Sequence, residues 1–64
     1  MKIIFQGNVV ETDVATVGAF LAEHGGAQEA VVEYRGEIFA DAGVLNIPLE
    51  DGAELNVYRI VSGG

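Results

Sequence analysis

Cysteine is absent from the 64 residues and histidine occurs once, so neither disulfide nor metal staples can hold the fold together. Cations are scarce as well: three Lys and Arg stand against ten Asp and Glu, for a net charge of −7. A chain with so few basic residues is not expected to track a nucleic-acid backbone, which needs clustered Lys and Arg, or to bind an anionic membrane surface. Long apolar runs are missing too. No stretch approaches the roughly 18 apolar residues that span a bilayer. The opening Met1-Lys2-Ile3-Ile4-Phe5 has one positive charge and too short an apolar run for a secretory signal, so the cytoplasm is the expected compartment. The acidity itself has two readings: it keeps a small apolar domain soluble, or it steers the chain toward a basic partner face.

Half of the residues are apolar and a fifth charged, a globular composition, and the length allows one core. Ordering such a chain costs on the order of 1.5 kcal/mol per residue, so nearly every apolar side chain is needed to offset it. Little is left to line a buried substrate pocket of several hundred Å³, roughly the size of known ligand sites. The chain is therefore expected to act by being held by a larger protein, not as an enzyme in its own right.

Two β-prone runs, Lys2 to Gln6 and Val9 to Thr12, flank Gly7-Asn8, a pair that tolerates positive φ and signals a hairpin. Alternation places Met1, Ile3 and Phe5 on one face of the first strand and Lys2, Ile4 and Gln6 on the other. A helix follows. Thr16 is a candidate N-cap, Val17, Phe20, Leu21 and His24 recur on one helical face, and Gly25-Gly26 is the stop signal. Ala30 to Tyr34 reads as a third strand, Arg35-Gly36-Glu37 as a turn and Ile38 to Ala40 as a short return strand. No period is visible from Asp41 to Pro48. After a Glu50-Asp51-Gly52-Ala53 turn, Glu54 to Val61 forms the last strand, with Leu55, Val57, Arg59 and Val61 opposite Asn56, Tyr58 and Ile60. One helix covering one face of a mixed four- to five-stranded sheet is an α+β architecture. The first and last strands are the most apolar, so they are expected to lie central, adjacent and parallel: the β-grasp arrangement, over residues 1–61.

Residues 62–64, Ser62-Gly63-Gly64, form a flexible tail in this reading. A frayed end is one interpretation. The other starts from chemistry. A C-terminal carboxylate ionises at a pKa of roughly 3.3–3.7 and is a poor electrophile until activated, for example as a mixed anhydride with AMP. Glycine leaves its acyl carbon unhindered, and Val61 to Gly64 extends about 13 Å, enough to enter a narrow channel in a partner.

Thr16-Val17 at the helix start, Arg35-Gly36-Glu37-Ile38, Pro48-Leu49-Glu50-Asp51-Gly52 and the strand from Leu55 to Gly64 together resemble the prokaryotic ubiquitin-like sulfur carriers, most closely the ThiS family of thiamin biosynthesis. The resemblance spans the whole chain and departs after Ile38, where Phe39-Ala40-Asp41 replaces the valine, proline and basic residue of many members. It implies that an E1-like, ThiF-like adenylyltransferase activates the Gly64 carboxylate with ATP, that a sulfur donor enzyme converts it to a thiocarboxylate, and that a thiazole synthase-like enzyme accepts the sulfur. Gly64 would carry the sulfur and Gly63 would be the flexible penultimate residue. The chain itself would bind no cofactor or metal and would be a monomer when free. Sister carriers feed molybdopterin, cysteine or homocysteine synthesis, which leaves the acceptor open. A ubiquitin-like modifier and a non-covalent docking module are the rival classes; Lys2 is the only lysine, which disfavours self-conjugated polymers.

Ile4, Tyr58 and Ile60 are expected on the sheet face away from the helix, either as scattered exposed hydrophobes or as a docking patch that Val31 extends. Arg59 and Ser62 join the candidate partner contacts; Arg59 could equally pair with Glu54 or Glu11. His24 is expected to cap the helix or face solvent, and Glu50 and Asp51 to form a turn, not a catalytic pair.

Overall fold

The computed structural model describes residues 1–24 and 30–59, without the side chains of Ala30 and Arg59. The elements run β1 (Lys2–Phe5), β2 (Asn8–Glu11), α1 (Val17–Glu23), β3 (Ala30–Tyr34), β4 (Glu37–Phe39), a 3-10 turn (Ala42–Asn46) and β5 (Glu54–Arg59). The five strands form one sheet in the order β2-β1-β5-β3-β4. β1 and β5 are central and parallel, pairing Ile4 with Glu54 and Phe5 with Leu55, and the remaining pairs are antiparallel. The expected α+β, β-grasp architecture is the one observed.

Both hairpins close with two-residue loops. At Gln6-Gly7 the φ angles are 50° and 82°, and at Arg35-Gly36 they are 53° and 83°. Positive φ at both central residues matches the right-handed twist of the flanking strands. The first loop thus lies one residue earlier than the Gly7-Asn8 pair suggests. Asn8 belongs to β2 opposite Phe5, and its Nδ2 donates to the Gln6 carbonyl at 3.3 Å. The correction slides β2 by two residues along β1, so Val10 still points into the core, opposite Ile3. The second loop likewise ends at Gly36, and Glu37 starts β4.

Thr16 caps α1 as expected, its Oγ1 accepting from Ala19 N at 3.2 Å. Val17, Phe20 and Leu21 are buried against Ile3, Leu55, Val32 and Tyr34. His24 is the exposed C-cap residue: its N–H donates to the Phe20 carbonyl and its ring stacks on Phe20 at 4.3 Å. Gly25-Gly26 lies outside the described residues. Between β4 and β5 the patternless segment holds the 3-10 turn, started by Asp41 Oδ1 accepting from Gly43 N at 2.9 Å and fixed by the buried Val44. The following residues strap the helix start: Val17 N donates to the Ile47 carbonyl and Leu49 N to the Ala15 carbonyl, each at 2.9 Å.

Gly18 is where α1 meets that 3-10 turn. A Cβ there would stand 2.8 Å from the Leu45 carbonyl oxygen and 3.0 Å from its Cβ. Alanine favours a helix interior by about 1 kcal/mol over glycine, but overpacking costs about 1–3 kcal/mol, and near the helix start the second effect dominates. Gly18→Ala is expected to lower stability by about 1 kcal/mol, read as an earlier midpoint in urea denaturation.

Candidate functional site

Registers fix which side chains share the face opposite α1. Pairing Ile4 with Val9 and Glu54, Val31 with Tyr58, and Glu33 with Asn56 and Ile38 places all of these, with Lys2 and Glu11, on the outer face. Ile4 and Tyr58, both expected there, do lie on it. They are not adjacent: Ile4 pairs at Glu54, and Tyr58 is four residues further along β5, about 13 Å at strand rise. Two apolar pieces result, Val9 with Ile4 and Tyr58 with Val31 and Ile38. The polar row of Glu54, Asn56 and Glu33 runs between them. Val9, Ile38 and Tyr58 are 68%, 60% and 51% exposed, so none of the described residues covers this side of the sheet. The sequence does not single out Val9 and Ile38, because only the cross-strand register reveals that they flank the central strands. The backbone of Arg59 ends β5, opposite Ala30; Ile60, Ser62, Gly63 and Gly64 lie outside the described residues, as does the proposed 62–64 tail.

Glu33 organises the polar row. Its Oε1 accepts from Asn56 Nδ2 at 3.1 Å and from the Tyr58 hydroxyl at 3.0 Å. The hydrogen bond to Glu33 and the negative charge beside it raise the Tyr58 phenol above its usual pKa, since ionisation would lose the donor and set two anions side by side. Two central-strand features hold this row in register. Lys2 N donates to Asp51 Oδ1 at 2.7 Å and Gly52 N donates to the Lys2 carbonyl, locking the turn before β5 onto β1. Where β1 turns away, the Gln6 side chain replaces it. Its Nε2 donates to the Val57 carbonyl at 2.9 Å and its Oε1 accepts from Val57 N at 3.3 Å, so one amide does the work of a peptide unit.

Elsewhere the described residues offer little chemistry. No group of three or more His, Cys, Asp and Glu among them is placed to hold a metal ion. Glu50 and Asp51 form the turn expected of them, the Glu50 carbonyl accepting from Ala53 N at 3.1 Å and Asp51 Oδ1 from Lys2 N; the Glu50 carboxylate, in addition, pairs with Arg35 at 2.6 Å in solvent. An open groove of about 280 Å³, lined by Tyr34, Arg35, Glu37, Phe39, Ile47 and Glu50, lies at the end of the sheet where β5 begins. No helix among the described residues is long and apolar enough to cross a membrane.

No protein-family model matches the chain, and no curated protein matches it. Among solved structures, the crystal structure of the thiamine biosynthesis protein ThiS from Geobacter metallireducens superposes with a TM-score of 0.80 at 23% identity, covering 100% of both chains. From the first strand to the last, the fold is that of the β-grasp protein ThiS.

Proposed function

We propose that this chain is a sulfur carrier, a protein co-substrate that works in the cytoplasm on the route to the thiamin thiazole. The observation that supports it best is the full-length β-grasp likeness to ThiS, combined with a central strand, β5, whose sequence continues after Arg59 as Ile60-Val61-Ser62-Gly63-Gly64. In this reading an E1-like, ThiF-like adenylyltransferase supplies ATP. The Gly64 carboxylate attacks the α-phosphorus, pyrophosphate leaves, and an acyl-adenylate forms. A sulfur donor enzyme then delivers a sulfur nucleophile to the acyl carbon; the C–O bond to AMP breaks and a C–S bond forms. A thiazole synthase-like enzyme consumes the resulting thiocarboxylate. The carrier contributes no acid, base, metal or cofactor. Its contribution is an unhindered acyl carbon and a sheet face by which the activating enzyme holds it, with Ile4, Tyr58 and Ile60 as contacts on that face and Arg59 and Ser62 as contacts beside the tail.

Intact-mass measurement after incubation with the adenylyltransferase, ATP and a sulfur source tests this. The expected product is heavier by one sulfur for one oxygen, and deletion of Gly64 abolishes the gain entirely. A wild-type chain that is neither adenylated nor thiolated would overturn the reading. High-mass conjugates that survive reduction would favour the modifier class instead.

A further inference from the structure

The outer face carries a constraint on its partner that follows from burying Glu33. Glu33 is partly buried and stands between Val31, Tyr58 and Ile38, the apolar piece that any protein docking on this face must cover. Asn56 and Tyr58 together use both lone pairs of Oε1. Oε2 has no hydrogen-bond or ion-pair partner among the described residues, whose one ion pair is Arg35 with Glu50. Both donors to Oε1 are neutral, so no cation among the described residues compensates the charge. In solvent this costs nothing, because water solvates Oε2. Under a docked protein that water is expelled, and a buried carboxylate without a cation is strongly unfavourable. The surrounding charge has the same sign: among the described side chains Glu11, Glu33 and Glu54 share the face with Lys2 as its one cation, on a chain of net charge −7.

We infer that Glu33 is the specificity-determining residue of this face, and that the adenylating partner covers it with an apolar surface bearing one arginine or lysine aimed at Oε2. The two hydrogen bonds to Oε1 hold the carboxylate ready, so little side-chain freedom is lost on docking. A partner that presents an acidic or purely apolar surface is rejected, because it leaves one or two anions buried without compensation. This inference rests on the carrier reading and adds the chemistry of the contact that selects the partner.

Pyrophosphate exchange catalysed by the ThiF-like adenylyltransferase, with the full chain as varied substrate, provides the test. Glu33→Gln keeps an acceptor for Asn56 and Tyr58 and removes only the charge. Its KM is expected to rise at least about thirtyfold with kcat within about twofold, since binding is lost and the chemistry is not. Added salt raises the wild-type KM more steeply than that of Glu33→Gln. Glu54→Gln removes the same charge from the rim of the face and shifts KM by less than about threefold. Glu33→Lys, which sets cation against cation, is expected to be poorer than Glu33→Gln, and circular dichroism on both variants checks that the fold is retained. A Glu33→Gln KM equal to wild type would overturn the inference while leaving the carrier reading intact. Absence of exchange with the wild-type chain would overturn both.

Discussion

Replacing Phe20 by alanine is expected to leave most of the protein unfolded at room temperature. Phe20 is fully buried on α1, its ring edge-on to Phe5 at 5.1 Å and stacked under His24 at 4.3 Å. Truncating such a phenylalanine costs about 3–5 kcal/mol in transfer and cavity terms. A single core of this size supplies rarely more than about 3–5 kcal/mol of net stability; the chain has no cysteine for a disulfide, and the described residues hold no metal-binding group that would add to it. The two figures are of the same size, so one substitution removes the margin. Loss of the far-ultraviolet circular dichroism signal and of a cooperative urea transition are the expected readouts. Val9→Ala on the open face is expected to stay within about 0.5 kcal/mol of wild type in the same experiment, since Val9 is already in water. A Phe20→Ala variant with a wild-type urea midpoint would show that α1 contributes little to the core.

The contrast between these two residues reflects what is legible in one dimension. Val17, Phe20 and Leu21 announce a buried helical face because their spacing has only one structural explanation, and the structure buries all three. The parallel centre of the sheet was equally legible: β1 and β5 are apolar, separated by a crossover, and each must lie where both edges are covered. What alternation cannot give is stagger. It assigns Ile4 and Tyr58 to one face but is silent on the four-residue offset between them, which depends on where Gly52 and Asp51 lock onto Lys2. The first hairpin turns one residue earlier than Gly7-Asn8 suggests because Gly7 satisfies the turn with either neighbour. The choice of Gln6 at φ 50° is understandable only with Val57, 51 positions away, in view. The 3-10 turn left no periodic trace because a single side chain, Val44, anchors it. Glu33 was invisible for the same reason as Gln6. Its significance lies in Asn56 and Tyr58, 23 and 25 positions further on, and no local pattern distinguishes it from the other nine acidic residues.

Tyrosine illustrates how a residue's effect follows its face, and the expected consequence of Tyr34→Phe is large. Tyr34 and Tyr58 both sit on strands that pair directly, β3 and β5, yet Tyr34 is 3% exposed on the core side and Tyr58 is in solvent. The Tyr34 hydroxyl donates to the Pro48 carbonyl at 3.1 Å and accepts from Glu50 N at 2.8 Å. It thereby pins, from the sheet, the strap whose Ile47 and Leu49 hold the start of α1. Phenylalanine fills the same space but leaves the Glu50 N–H and the Pro48 carbonyl without their partner, which costs about 1–3 kcal/mol. In a domain of this size that is a large fraction of the whole. Tyr34→Phe is therefore expected to lower the urea midpoint and to speed hydrogen exchange at the Glu50 amide by about tenfold or more, as 1.4 kcal/mol corresponds to one decade. Tyr58→Phe removes a hydrogen bond that water replaces, so its stability is expected within about 0.5 kcal/mol of wild type. Equal destabilisation by the two substitutions would mean that the strap is not held from the sheet at all, and that the helix start rests on its backbone hydrogen bonds to Ile47 and Leu49 alone.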